Sequence, residues 1–198
     1  ARFFPVPYTD YHAELPGGKQ GWRTHMPVDF DGRSMGEDVQ RLRPASKAAS
    51  LFGKISWTLM EAHILLNRPK GWIKTLLGIL WRYYGDIGQR LRSPRDRFLT
   101  MGTALVARLR ISLDRRGVPI WLDTRLVSLL KEDGRVVGAV VERGGKTQRI
   151  QARKGVVLAA GGFERNAQMR AQHLPGSPDP GNTGAHPYNT GDAIRIGQ

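Results

Sequence analysis

The 198-residue sequence contains no cysteine. Disulfides, thiolate nucleophiles and cysteine-ligated metals are therefore excluded, and no metal site is read from the remaining residues. The absence of disulfides fits a cytoplasmic setting. No apolar run approaches the roughly 20 residues needed to cross a bilayer. The opening, ARFFPVPYTD, has neither an initiator Met nor the long apolar core of a signal peptide, so the sequence reads as an internal fragment of a longer protein. Also missing is a GxGxxG turn after a strand, with the acidic ribose partner that follows it in a complete dinucleotide site. Acidic residues are scarce: 17 Asp and Glu face 31 Lys and Arg, for a net charge of +14.

That charge is unevenly placed. Residues 41–116 hold 16 Lys/Arg against 4 Asp/Glu, or +12. Such a stripe suits an anionic membrane surface, nucleic acid, the acidic face of another segment, or plain solvent. Recognition-helix and RNA-binding signatures are lacking, so no nucleic-acid partner is expected.

Residues 1–36, rich in Pro, Gly and aromatics, read as turns and extended chain. Apolar spacing predicts helices over 45–66 (Leu51, Ile55, Leu59, Ile64) and 70–92 (Ile73, Leu76, Leu77, Leu80, Tyr84). The second mixes Trp72, Trp81, Tyr83 and Tyr84 with Lys74 and Arg82, a pattern shared by core helices, pocket-lining helices and membrane-interface helices. A third helix is predicted over 100–116, with Thr100 as N-cap, a Leu105–Leu109–Leu113 stripe, and a stop at Arg115-Arg116-Gly117. Val118–Leu122 reads as a short strand. Val127–Lys131 and Val136–Glu142 flank Asp133-Gly134 as a hairpin, Gly144-Gly145 turns the chain into Thr147–Ala152, and Gly155–Ala160 reads as an apolar strand.

Two small-residue bends stand out. In VVLAAGGFERN (156–166), Ala159, Ala160, Gly161 and Gly162 carry almost no side-chain bulk, so their backbone N–H groups can approach a phosphate-bearing ligand closely. Asn189, Thr190, Gly191 and Asp192 form a second polar turn ahead of a short helix start. A pair of such turns suggests a nucleotide cofactor. The fold class read from these elements is α/β: part of a Rossmann-like nucleotide-binding domain with a small antiparallel β-meander, plus a helical and irregular segment. Residues 1–98 form that segment and 99–198 the partial domain.

With these stretches in view, the chain resembles the FAD-dependent 3-ketosteroid dehydrogenases of the fumarate reductase/succinate dehydrogenase flavoprotein superfamily. The resemblance rests on FPVPYTDYH (4–12), GRSM (32–35), GTALVARL (102–109), the run from Glu132 to Arg170, and NTGDAIRIG (189–197). It implies an FAD enzyme that desaturates ring A of a 3-keto steroid. A tyrosine removes a proton beside the ketone, and flavin N5 accepts a hydride from the adjacent carbon. It further implies that Tyr11 assists the proton-abstracting tyrosine and that Tyr8 lines the steroid pocket. Ala159, Ala160, Gly161, Gly162 and Phe163, with Asn166 nearby, would approach the flavin. Thr190, Gly191, Asp192 and Ala193 would make the second FAD contact, and Leu126 and Val127 would edge the adenine. The proton-abstracting tyrosine and the carbonyl-polarising Tyr and Gly would lie beyond Gln198. The fragment alone would therefore be inactive and bind FAD weakly. Two other readings stay open: a fumarate-reductase-like flavoprotein, for which His12, His25 and His63 are poorly placed, and a basic membrane-surface module using the 70–92 helix.

Overall fold

The computed structural model describes residues 2–45, 50–176 and 179–198. Two units, Ala1–Pro119 and Ile120–Gln198, each hold together internally. The fold is mixed α/β with small antiparallel sheets.

In the first unit, β1 (Phe3–Pro5) pairs antiparallel with β2 (His25–Pro27). The intervening excursion carries Tyr8 and Tyr11. Buried Val6 pins its neck, donating to the Thr24 carbonyl (2.9 Å) and accepting from the Trp22 N–H (3.1 Å). Asp10 organises its interior, accepting from the Lys19 N–H (3.1 Å) and pairing with Arg23 (3.0 Å). The chain then forms β3 (Phe30–Asp31), which pairs with β6 (Phe98–Leu99). Gly32–Arg41 is a 3₁₀ segment capped by the Asp31 carboxylate, and its first residues, 32–36, were predicted as turns and extended chain.

The predicted 45–66 helix is corrected. Its residues 46–49 lie outside the described residues, and β4 (Ser50–Leu51) and β5 (Ile55–Ser56) form a hairpin. Leu51 and Ile55, four apart, satisfy helical spacing, yet here they are cross-strand partners around a Phe52-Gly53 turn. Only α1 (Leu59–Asn67) is helical. It opens with a capping box, Thr58 Oγ1 accepting from the Glu61 N–H and Glu61 from the Thr58 N–H (3.1 and 2.8 Å). It closes on Arg68 in the left-handed region ahead of Pro69.

The single helix expected over 70–92 is likewise two, α2 (Trp72–Tyr84) and α3 (Ile87–Arg90), broken at Gly85-Asp86. Arg97 draws Asp86 out of the helical path through Nε (2.9 Å) and Nη2 (2.5 Å), and this pairing holds the Asp86 carboxyl below its usual range. The inward face of α2 is Ile79 and Tyr83, which join Ile55 in a core flanked by Leu51, Trp57, Leu65 and Leu80. Ile73, Leu77, Trp81 and Tyr84 point outward instead.

In α4 (Met101–Asp114), Thr100 occupies the cap position, but its hydroxyl makes no capping bond and is buried. Nor is the leucine stripe the packed face. Ala104 and Ala107 are, with Met35, Val39, Leu99 and flanking Ile111, because methyl side chains let the 3₁₀ segment come close. The predicted stop holds: Gly117 is left-handed, and the Val118 N–H reaches back to the Leu113 carbonyl (3.0 Å).

Two carboxylates give the first unit opposed responses to acid. Burial pushes Glu61 up, but Arg82 (2.7 and 3.1 Å) and the Thr58 cap outweigh it and hold Glu61 below its ordinary value. Burial pushes Asp96 up, although it accepts from the Ser56 and Phe98 N–H groups (2.9 Å each). Glu61 and Asp86 therefore stabilise the fold above their unfolded pKa values, and that stability is lost as pH falls through their lowered folded values. Asp96 has the opposite sign: its contribution declines as pH rises from its unfolded value through its raised folded one. Replacing Asp96 with Asn leaves one oxygen for two donors. We expect D96N to lose about 1–3 kcal/mol of stability in chemical denaturation and to lose the acid-side gain due to Asp96.

In the second unit, β7 (Thr124–Glu132), β8 (Arg135–Arg143) and β9 (Lys146–Gln151) form the expected meander. Its turns, Asp133-Gly134 and Gly144-Gly145, all have positive φ, as two-residue hairpin loops with matched twist require. The register slips between Leu126 and Ser128, leaving Val127 as a bulge. Two predicted strands are absent. Val118–Leu122 has Pro119 inside it and no ladder partner, and Gly155–Ala160 runs on past the last ladder residue without one, leaving Val157 89% exposed. A strand needs a neighbour to satisfy its N–H and C=O groups, and no described strand lies alongside either segment. After a turn come α5 (Ala167–His173) and α6 (Asp192–Gly197).

Candidate cofactor site

Within the second unit the two small-residue bends meet. The Gly191 N–H donates to the Gly162 carbonyl (3.0 Å), and the Arg165 N–H donates to the Asn189 carbonyl (2.9 Å). The side chains repeat the link. Asn189 Nδ2 donates to Glu164 Oε2 (3.0 Å), and Asn166 Nδ2 donates to the Thr190 carbonyl (2.8 Å) while its Oδ1 caps α5 by accepting from the Met169 N–H (3.0 Å). Gly161 and Gly191 both adopt φ +79. A Cβ at Gly161 would lie 2.6 Å from Asn189 Oδ1, and one at Gly191 would lie 2.3 Å from Met169 Sδ. Positive φ favours glycine at both positions, and at Gly191 the nearby Phe163 Cβ adds a contact that cannot swing aside.

Gly161, Gly162, Phe163, Asn166, Thr190 and Gly191 are brought together here. Phe163 is used inside the assembly, against His173 (ring centroids 5.7 Å) and close to Gly191. Ala159 and Ala160 lead into the first bend with their backbone outside any ladder. Asp192 and Ala193 open α6, which packs on β7, the strand carrying Leu126 and the bulged Val127. Val127 is the residue the slip leaves without a cross-strand partner, on the strand that α6 packs against. The Asp192 carboxyl sits below its usual range, held by Arg195 first and by the Thr190 hydroxyl (3.1 Å).

The sequence reading passed over Glu164, Arg165, Met169 and the side chain of Asn189 as site residues. Their signal was the pair of polar residues immediately after the Gly-Gly-Phe turn. The Glu164 carboxylate folds over Gly162, within 2.7 Å of where a Cβ would stand. A carboxylate there suits hydroxyl or amide donors and repels a phosphate, so the face of Gly162 itself is not a phosphate seat. Tyr8 and Tyr11 stand on the β1–β2 excursion of the first unit. Tyr11 is fully exposed, and neither hydroxyl has a hydrogen-bond partner among the described residues. His12 faces Glu14 (3.2 Å) in the same loop.

Residues 9–198 match a known family model, that of the FAD binding domain. The chain belongs to this family. It is 41% identical over 195 residues to the 3-oxosteroid 1-dehydrogenase of Comamonas testosteroni, covering 96% of this chain and 34% of that protein. It is 29% identical over 176 residues to the 4-oxocyclohex-2-ene-1-carboxylate 5-dehydrogenase of Sinomonas cyclohexanicum, covering 87% of this chain and 29% of that protein. Among solved structures, it is similar to the 3-ketosteroid delta1-dehydrogenase of Sterolibacterium denitrificans in complex with 1,4-androstadiene-3,17-dione. That match has a TM-score of 0.92 and 45% identity, over 98% of this chain and 36% of the other. The chain spans about a third of the length of these relatives. FAD is the cofactor that the family indicates.

No described helix is long and apolar enough to cross a membrane.

Proposed function

We propose that this chain is part of an FAD-dependent dehydrogenase that desaturates ring A of a 3-keto steroid or a similar apolar cyclic ketone. The observation that carries the reading is the junction of the Gly161-Gly162 and Thr190-Gly191 bends. It supports a single ligand-facing surface built from segments nearly thirty positions apart in sequence, in a chain of the FAD-binding family.

The residues present fit the cofactor. Free backbone groups at Ala159 and Ala160 and the hydroxyl of Thr190 would face the flavin half, and the Val127 bulge with Leu126 would read the adenine edge. Bound FAD supplies hydride acceptance from a C–H bond. On this reading residues 99–198 are part of a Rossmann-like FAD-binding domain, and residues 1–98 line the substrate and flavin side. Tyr8 contributes apolar wall to the steroid pocket. Tyr11 donates its phenolic proton in a hydrogen bond to the tyrosine that removes the α-proton. A phenol has an ordinary pKa of about 10, so such a donor favours the phenolate that proton abstraction requires. The enzyme acts in the cytoplasm.

Purified full-length protein should be yellow, and 4-androstenedione should drive reduction of an electron-accepting dye. A colourless protein, or turnover of fumarate with a reduced dye in place of steroid oxidation, would contradict the reading.

One feature favours a second, compatible property. The outward stripe of α2, Ile73, Leu77, Trp81 and Tyr84, follows helical spacing beside Lys70 and Lys74, and Trp81 is 80% exposed. We propose that this stripe rests on an anionic membrane surface, where an apolar substrate partitions. Co-sedimentation with anionic vesicles that weakens with salt, and is lost in Trp81→Ser, is the expected result; indifference to both changes would exclude it.

A further inference from the structure

Residues 180–188, between α5 and the second bend, have almost no architecture of their own. Residues 180–188 form no helix or strand, and their internal bonds are short-range, such as Ala185 N–H to Thr183 Oγ1 (3.1 Å) and Asn189 N–H to the His186 carbonyl (3.0 Å). Among the described residues, one side chain makes the hydrogen bonds that tie 180–188 to the rest of the unit. Arg165 Nη1 donates to the Pro180 carbonyl (2.9 Å), Nη2 to the Thr183 (3.0 Å) and Ala185 (3.2 Å) carbonyls, and Nε to Ala185 at the longer distance of 3.4 Å. The backbone of the same residue donates to the Asn189 carbonyl at the foot of the second bend (2.9 Å).

We infer that Arg165 is a positioning residue for the cofactor: its guanidinium fastens the 180–188 loop, so that Thr190 and Gly191 are presented in register with Gly161 and Gly162 before FAD binds. The geometry fits arginine in particular. Three carbonyls at different points of an irregular loop need a planar donor fork, and a lysine ammonium at the end of a flexible stem cannot reach all three. Among the described residues no carboxylate pairs with this guanidinium; the loop carbonyls are its protein partners. Removing the guanidinium therefore unfastens the loop without creating an unpaired acid. Arg165 contacts no proposed substrate group, so its effect falls on cofactor retention and not on the chemical step. This inference rests on the reading that the two bends hold FAD.

The test uses full-length protein carrying Arg165→Ala and Arg165→Lys. In apo-protein, amide hydrogen exchange across 180–191 should accelerate in R165A while the β7–β9 meander keeps wild-type protection. FAD should bind about 10–100-fold more weakly, the range typical of losing the support of a binding group, with R165K between R165A and wild type. At saturating FAD the turnover number should return to the wild-type value. Millimolar guanidinium, but not urea at equal concentration, should restore FAD affinity to R165A. Wild-type exchange rates and wild-type FAD affinity in both variants would overturn the inference. So would weakened binding in R165A that neither guanidinium nor Lys mitigates. If R165A fails to fold, R165K decides on the same readouts. Wild-type protein that takes up no FAD yet shows the exchange effect would refute the proposed function while leaving the loop-fastening role standing, so the two failures are distinguishable.

Discussion

Full-length protein carrying Gly191→Ala is expected to be purified largely free of flavin. The added methyl meets two obstacles. At φ +79 a side chain costs about 1–2 kcal/mol relative to glycine. The Cβ would also stand 2.3 Å from Met169 Sδ and 3.0 Å from Phe163 Cβ, so one of these groups must move. The Met169 thioether can swing aside, but Phe163 Cβ is fixed to the backbone of the first bend, so relieving that contact displaces the bend and strains the Gly191–Gly162 bond. Together these costs reach about 3 kcal/mol, or about a hundredfold in FAD affinity at roughly 1.4 kcal/mol per tenfold. Gly184→Ala is the control. It lies in the same loop, but its Cβ meets nothing within 4 Å and its φ is ordinary, so it should keep wild-type flavin content. The ratio of visible to ultraviolet absorbance, with fluorimetric FAD titration, checks both. Equal flavin in G191A and G184A would mean the junction of the bends does not serve the cofactor.

Tyr11→Phe is expected to lower the turnover number about a hundredfold while leaving flavin content, steroid affinity and melting temperature unchanged. The size follows from assisted proton transfer, which is worth at least about 10²-fold when positioned in the transition state. The selectivity follows from the fold. The Tyr11 hydroxyl has no partner among the described residues, and the excursion is held by Val6, Asp10 and Arg23. Removing one oxygen therefore takes no structural bond away, and any loss of rate reports on chemistry. Steady-state kinetics over a pH series separates the cases, because loss of a proton-relay partner shifts the pH profile. An unchanged rate would reduce Tyr11 to a surface aromatic.

Legibility from sequence tracked how local the determining physics is. The Asp133-Gly134 and Gly144-Gly145 turns were readable because two-residue loops with positive φ demand those residues, and they fix the meander register around them. The end of α4 was readable for the same reason. Apolar spacing alone misled at 50–56, where Leu51 and Ile55 satisfy a helix and a tight hairpin equally, and along α4, where Ala104 and Ala107 are the buried face and the leucine stripe is half-buried or, at Leu109, exposed. The Gly155–Ala160 segment is apolar enough for a buried strand, but strand formation depends on a neighbour that its own residues cannot specify. At the candidate site, the small-residue bends announced themselves. Their junction did not, because it is made by backbone groups and by Arg165, Asn166 and Asn189, whose partners lie 15 to 25 positions away. The Val127 bulge left no mark of its own in the sequence of β7.

The central claim is that the paired bends seat a flavin where it can oxidise a cyclic ketone. Anaerobic mixing of the flavin-loaded full-length protein with 4-androstenedione tests it directly. The account predicts that the visible flavin absorbance bleaches as the steroid gains a ring A double bond, one steroid per flavin. A flavin band that persists beside unaltered steroid would contradict it.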